Sequence, residues 1–241
     1  MRKKDYSEDY SAYENIKSRA YAKNVTFYKW ATRSLPRSLL GKLFPVIGFL
    51  ALSRGTSVLD IGAGSGLYAH LLRQRFGCLC NEVEPHLRNL YDAQEHVMRC
   101  DIDSIPVDRK YDVILLIDII EHLHPAAASD LLERLRLVTH ADSSIYIKTP
   151  NTSSLAGLES SFGDLTHIQH LNAISLPALA INNGYLVRRI SGIGPNLNPK
   201  RLLMRVVSLP FDLLLLAHLK AQGCSGVLIK PSIIVELKKC S

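Results

Sequence analysis

Histidines set beside carboxylates are the first residues of this chain spaced for chemistry. Asp118-Ile119-Ile120-Glu121-His122-Leu123-His124-Pro125 follows the apolar run Tyr111 to Ile117, and Asp164-Leu165-Thr166-His167-Ile168-Gln169-His170 brings further imidazoles. An imidazole titrates near neutral pH, so His122 is suited to take a proton from a reacting hydroxyl; its alternative role is to cap the helix that follows or fix the loop. Asp118, Glu121 and His122 with His167 or His170 also offer the oxygen and nitrogen ligand types that suit a divalent ion. The expectation is nonetheless a free base and no metal. A second constellation precedes them, Val58-Leu59-Asp60-Ile61-Gly62-Ala63-Gly64-Ser65-Gly66. Glycine is needed where the backbone takes positive φ or lets a ligand lie against it, and the helix that follows aims free N–H groups at that ligand. The turn therefore either carries a ligand or is an ordinary tight turn. Its Gly-x-Gly-x-Gly spacing is not the dinucleotide Gly-x-Gly-x-x-Gly, and no Lys-Ser/Thr follows, which disfavours phosphate cradling.

These groups need a scaffold, and apolar runs alternating with helical stretches supply one. Strands are expected at 57–61, 78–83, 97–100, 111–117 and 144–148, with helices at 67–76, 87–93 and 126–140 between them. Such alternation builds a parallel sheet with helices on both faces, whose ligands gather at the carboxyl ends of the strands. Glu82 stands at such an end, in Asn81-Glu82-Val83-Glu84-Pro85, where a carboxylate can accept both hydroxyls of a ribose. Glu84 is its rival. Residues 151–176 lack periodicity, and a loop of that length in a compact domain is functional or disordered. A helix is expected from Ile174 to Asn183 and a last strand from Ser232 to Leu237. Between them, Leu202 to Leu219 is apolar but broken by Arg205, Pro210, Asp212 and His218; it either packs on the core or rests on a membrane as an amphipathic element.

With 241 residues, 47% of them hydrophobic, the chain can bury one sizeable core. No apolar run approaches the roughly 20 residues of a membrane span, and the charged start Met1-Arg2-Lys3-Lys4 has no apolar stretch behind it. A cytoplasmic protein is expected, with membrane association left open. The five cysteines are odd in number and hold no C-x-x-C pair, so neither a disulfide framework nor a zinc site is expected. The net charge of +7 divides unevenly: 11 Lys/Arg against 4 Asp/Glu over residues 1–54, 9 against 14 over 55–150, and 9 against 4 over 151–241. Basic flanks around an acidic core either attract an anionic partner or only keep the surface solvated. Residues 1–54, rich in interleaved aromatics and cations, are expected as an N-terminal helical cap, and 55–241 as a single ligand-binding domain.

The glycine turn, Glu82-Val83-Glu84-Pro85 and the stretch Tyr111 to His122 together resemble class I S-adenosylmethionine-dependent methyltransferases, in a branch rich in enzymes that O-methylate small molecules and sugars. The resemblance covers about residues 55–190. It implies a doubly wound, seven-stranded, mostly parallel, Rossmann-like sheet ending in an antiparallel hairpin, with an insertion after strand 5. S-adenosylmethionine is the implied cofactor, held by Asp60, Gly62, Ala63, Gly64, Gly66 and Asp118. Glu82 is implied to bind the ribose, Asp101 the adenine amino group, and Ile102 the adenine ring. His122 is implied as the base, and His167, in a segment similar to the Asp-x-Thr-His of sugar-modifying members, as a substrate-side residue. The implied acceptor is a small-molecule or glycan hydroxyl rather than nucleic acid. Two alternatives stay open: a metal-assisted RNA methyltransferase, although Leu123 stands where that pattern has a second histidine, and a catalytically silent binding subunit.

Overall fold

The computed structural model describes residues 45–64, 66–84, 97–98, 104–194, 199–223 and 228–240. Its strands are β1 (Ser57–Ile61), β2 (Leu79–Val83), β3 (Val97–Met98), β4 (Tyr111–Ile117), β5 (Thr139–Pro150), β6 (Tyr185–Ile193) and β7 (Ser232–Lys239). They form one seven-stranded sheet in the order β3-β2-β1-β4-β5-β7-β6. The pairs among β1 to β5 are parallel, and β7 runs antiparallel to both neighbours, Pro150 lying opposite Ser232 and Ile193 opposite Ser232. The strand order reverses between β1 and β4, where a crevice opens at the carboxyl edge of such sheets.

Alternation along the strands divides the core in two. Leu59, Ile61, Ile114, Leu116, Ile145 and Ile147 face helices α2 (Pro125–Leu135) and α4 (Ser175–Asn182), which contribute Leu131, Leu132, Leu135, Leu176 and Ala180. Val58, Val113, Leu115 and Tyr146 face the other way, onto Ala69 and Leu71 of α1 (Leu67–Leu71) and onto Val46, Ile47, Phe49 and Leu50. Period-two side-chain alternation on a sheet covered on both faces produces this division.

Several elements differ from expectation. The helix of 67–76 is α1 followed by a π-helical turn, Leu72–Phe76, closed by Gly77 at φ 65°. The expected helix 126–140 ends at Leu135, and β5 begins already at Thr139 because Thr139 pairs with Tyr111 before the regular ladder starts at Ser144. The aperiodic stretch after β5 contains helix α3 (Leu155–Phe162). β6 and β7 pair antiparallel but are not a hairpin, since the 23-residue helix α5 (Pro199–Ala221) stands between them. Among the described residues Cys78, Cys80 and Cys240 are free thiols, and no helix is long and apolar enough to cross a membrane. Of the expected cap, residues 1–44 lie outside the described residues, as do Asp101 and Ile102.

Candidate active site

The glycine turn leaves β1 at the switch point. Gly62, Gly64 and Gly66 have φ of 67°, 54° and 73°, in the left-handed region that an L side chain rarely adopts. The amides of Gly62 and Ala63 donate to the Val83 carbonyl at 2.8 and 3.2 Å, strapping the turn to the end of β2. The first and second glycines serve different ends. A Cβ on Gly62 would stand 2.0 Å from Ile119 Cδ1, so this glycine admits the segment after β4; a Cβ on Gly64 meets nothing within 4 Å. The outer face of Gly64 is thus open to a ligand, with the start of α1 directly behind it.

Carboxylates crowd under the turn. Asp60 is buried, and its Oδ2 has no hydrogen-bond partner among the described residues. Burial, then the Glu82 charge, raises its pKa to about 8, while Arg73 opposes the shift. Glu82 is also buried, its Oε1 taking a hydrogen bond from Arg73 Nη2 at 2.7 Å. Glu84 reaches the turn itself, where its Oε2 accepts the Gly64 amide at 2.8 Å. The two acids weighed for a ribose therefore occupy different places: Glu82 at the carboxyl end of β2 opposite Asp60, Glu84 on the turn. A buried carboxylate with an unmet oxygen beside an open glycine face suits a ligand bearing both cationic and hydroxyl groups.

The segment after β4 forms the facing wall. Asp118 is a non-glycine residue at φ 56°, a conformation that Asp tolerates better than most. Lys148 Nζ donates to both its carboxylate oxygens at 2.6 Å, and the Asp118 amide donates to the Lys148 carbonyl, so β5 fixes the bend. The chain then makes a 3-10 turn, Ile120–His122. The loop after α3 is laced onto this turn: the amides of Ile168 and Gln169 donate to the Glu121 carbonyl, and Gln169 Nε2 donates to the carbonyls of Ile120 and Leu123.

That lacing orients the histidines. His122 Nδ1 lies 2.9 Å from Thr166 Oγ1 and 3.3 Å from the Thr166 carbonyl, and the Thr166 hydroxyl donates to Asp164 Oδ1 at 2.6 Å. A carbonyl only accepts, and a hydroxyl that has spent its proton on a carboxylate also accepts, so Nδ1 carries the hydrogen and neutral His122 keeps its lone pair on Nε2. His167 is oriented in the same sense, its Nδ1 donating to the Ser161 carbonyl at 2.9 Å. The two rings meet edge to face with centroids 4.6 Å apart. Ligand atoms of Glu121, His122 and His167 all lie within 4.8 Å of one another. Glu121 is buried; burial, then the Asp118 charge, raises its pKa to about 8, opposed by its own backbone amide, the Thr149 hydroxyl and Lys148. His170 stays out of this cluster, pairing with Ser161 Oγ and stacking on Phe162.

The structure thus brings Asp60, Gly62, Ala63, Gly64, Gly66, Glu82, Asp118, His122 and His167 to one edge of the sheet. Sequence reasoning missed Asp164 and Thr166, which aim His122, and Arg73 and Lys148, which hold Glu82 and Asp118; the Asp-x-Thr-His segment was the available signal for the first pair. A separate cleft of about 830 Å³ lies at the opposite, amino edge, lined by Arg54, Thr56, Asp112, Arg189, Glu236 and Lys238 among others, and has no part in this arrangement.

Comparisons with known proteins agree with the geometry. A family model described as a methyltransferase domain matches residues 31–189. Comparison with curated protein sequences finds no match. Among solved structures, a SAM-dependent methyltransferase from Archaeoglobus fulgidus is 20% identical with a TM-score of 0.60, covering 88% of this chain and 99% of its own. The 1,6-didemethyltoxoflavin-N1-methyltransferase of Burkholderia thailandensis, solved with S-adenosylhomocysteine, is 16% identical with a TM-score of 0.57, covering 100% and 93%. A small RNA methyltransferase is 16% identical with a TM-score of 0.58, covering 86% of this chain and 26% of its own. With two-thirds of its length matched by the family model and the glycine turn at the switch point of the sheet, the chain belongs to the methyltransferase domain family and is an S-adenosylmethionine-dependent methyltransferase.

Proposed function

We propose that the protein methylates a hydroxyl of a sugar, glycan or other small molecule, with His122 as the general base. The observation that carries this reading is the chain from Asp164 through Thr166 to His122, which leaves Nε2 as the basic nitrogen on the wall facing the glycine turn. The cofactor supplies a methyl group on a sulfonium, open to in-line displacement. Gly64 and the first turn of α1 give it room, Asp60 meets its positive charge, and Glu82 takes the ribose hydroxyls, with Glu84 as the rival. Asp101 and Ile102 keep their proposed adenine contacts. Asp118 lies between the turn and the base. His122 Nε2 takes the hydroxyl proton as the oxygen gains the methyl group, and Asp164 stabilises the imidazolium through Thr166. His167, held by Ser161, contacts the acceptor.

The test is transfer of labelled methyl from the cofactor to cell extract separated into glycan, glycolipid, RNA and protein fractions. Label in a glycan or small-molecule fraction, lost in His122→Ala, supports the reading. Label confined to RNA or protein refutes it.

A second reading rests on Glu121, His122 and His167. A buried carboxylate clustered with two imidazole nitrogens matches the ligand types of a divalent ion. On that reading a metal meets the acceptor oxygen and His122 is a ligand rather than a base; the RNA methyltransferase of similar fold gives it an acceptor class. Leu123 stands where the metal-using RNA methyltransferase pattern has a second histidine, and for that reason the base reading is preferred.

A further inference from the structure

Helix α5 carries large apolar residues outward as well as inward. Val206, Val207, Leu209, Phe211, Leu213 and Leu214 are each more than half exposed, Leu214 at 71%. Val207, Phe211 and Leu214 follow i, i+4, i+7 spacing, and Val206 and Leu213 lie beside them, so these apolar residues share one side of the helix, with the exposed His218 among them. The half-buried residues, Asp212, Leu215, Leu216 and Leu219, make another, and the helix's one acid belongs to that shielded side. A helix that faces water turns polar residues to its outer side. A contiguous exposed apolar face marks a surface made to be covered.

Charge and topology identify the cover. Residues 199–223 carry four cations, Lys200, Arg201, Arg205 and Lys220, against the single acid Asp212. In a two-fold pair of identical helices the cations of one copy would add to those of the other with a single acid apiece to offset them, since an isologous contact presents the same patch twice. An anionic lipid surface instead complements them while its acyl boundary takes the apolar face. The helix is not one that can cross a bilayer, so it lies along the surface. It follows β6, which ends at Ile193, and precedes β7, which begins at Ser232; Ser232 pairs with Ile193 on one side and with Pro150 on the other, at the carboxyl edge of the sheet. The glycine turn and His122 open at that same edge.

We propose that α5 docks the protein on an anionic membrane surface and so turns the carboxyl edge of the sheet toward an acceptor displayed there. The second half of this statement rests on the hydroxyl-methylating reading above; the docking itself does not. The acceptor class that follows is an amphiphile, its hydroxyl group exposed at the lipid headgroup layer.

The full chain is sedimented with vesicles of phosphatidylcholine alone and with vesicles containing about one third phosphatidylglycerol. Binding is expected to the anionic vesicles, weakened at high salt, and absent or much weaker on the neutral ones. Removing a buried leucine from an apolar layer shifts partition about tenfold or more, so Leu213→Asp with Leu214→Asp should abolish the bound fraction. Both positions are exposed, and unchanged cofactor affinity in calorimetry shows that the variant is folded. Wild-type protein left in the supernatant with anionic vesicles, or a double variant that still sediments with them, overturns the docking. A wild-type dimer that ignores vesicles and dissociates on the double substitution assigns the face to a second copy and equally overturns it. Vesicle binding by a protein that does not bind S-adenosylmethionine would sink the methyltransferase reading while leaving the docking intact.

Discussion

Cofactor binding should expel a proton from Asp60. The carboxyl sits buried under the glycine turn with its pKa raised to about 8, against 3.8 for the group in water. At pH 7 about nine-tenths of the folded, empty protein therefore holds this carboxyl neutral. A unit positive charge about 4 Å from a carboxylate, at an effective dielectric of about 20, favours the ionised form by about 4 kcal/mol, or about three pKa units. Loading a cationic ligand beside Asp60 should thus bring its pKa down to about 5 and release about 0.9 proton at pH 7. Affinity follows the ionised fraction of the empty protein, about one part in a hundred at pH 6 and about one half at pH 8, so the Kd for S-adenosylmethionine should tighten about fiftyfold across that interval. Calorimetry in two buffers of different ionisation enthalpy reads the proton directly. Asp60→Asn should bind more weakly at pH 8 and lose both the slope and the released proton, whereas Glu121→Gln should keep both. A wild-type Kd flat from pH 6 to 8 with no buffer-dependent heat would refute the placement of Asp60 against the cofactor's charge.

Gly64→Val should block cofactor binding by filling the open face of the turn, and Glu82→Ala should weaken it by about 1.5–3 kcal/mol, the worth of hydrogen bonds to a charged group; if both bind like wild type, the cofactor lies elsewhere. Activity should survive EDTA, and its loss with recovery on adding magnesium or manganese would favour a metal held by Glu121, His122 and His167. His122→Ala should lower kcat by about 10²–10⁴-fold with cofactor affinity spared, Thr166→Val should move the pH profile of kcat because it removes the hydroxyl that links His122 to Asp164, and His167→Ala should act mainly on KM. The folded Glu121 carboxyl holds its proton up to about pH 8 while the unfolded group ionises near 4.5, so the folded state binds more protons across that window and stability should fall as pH rises through it; Tm against pH should be flatter in Glu121→Gln. Gly157→Ala would put a Cβ 1.9 Å from the Asn151 carbonyl oxygen; overpacking of this kind costs about 1–3 kcal/mol, and a Tm lower by about 2–10 °C is expected.

What could be read in the sequence divides along a physical line. β4 was legible to the residue because a central strand buried on both faces shows as an unbroken apolar run, and the glycine turn was legible because left-handed backbone at three alternate positions admits little else. α3 was not, because its buried residues are Gly157 and Ser161 while Leu155 and Phe162 are exposed, so its packing face leaves no hydrophobic period. The helix after β4 was drawn too long because Leu135 and Val138, both buried, continue its apolar spacing past the point where Thr139 joins the sheet. α5 was readable as amphipathic, but composition does not say which face a helix turns outward. The same line runs through the site. His122 could be named from its place after a central strand, but what orients its ring is a hydrogen bond to Thr166 and, through it, to Asp164. Packing repeats with the period of the element that packs, and so writes itself into the order of residues. A hydrogen bond between a 3-10 turn and a loop more than forty residues later in the chain has no period, and only the fold that closes the distance reveals it.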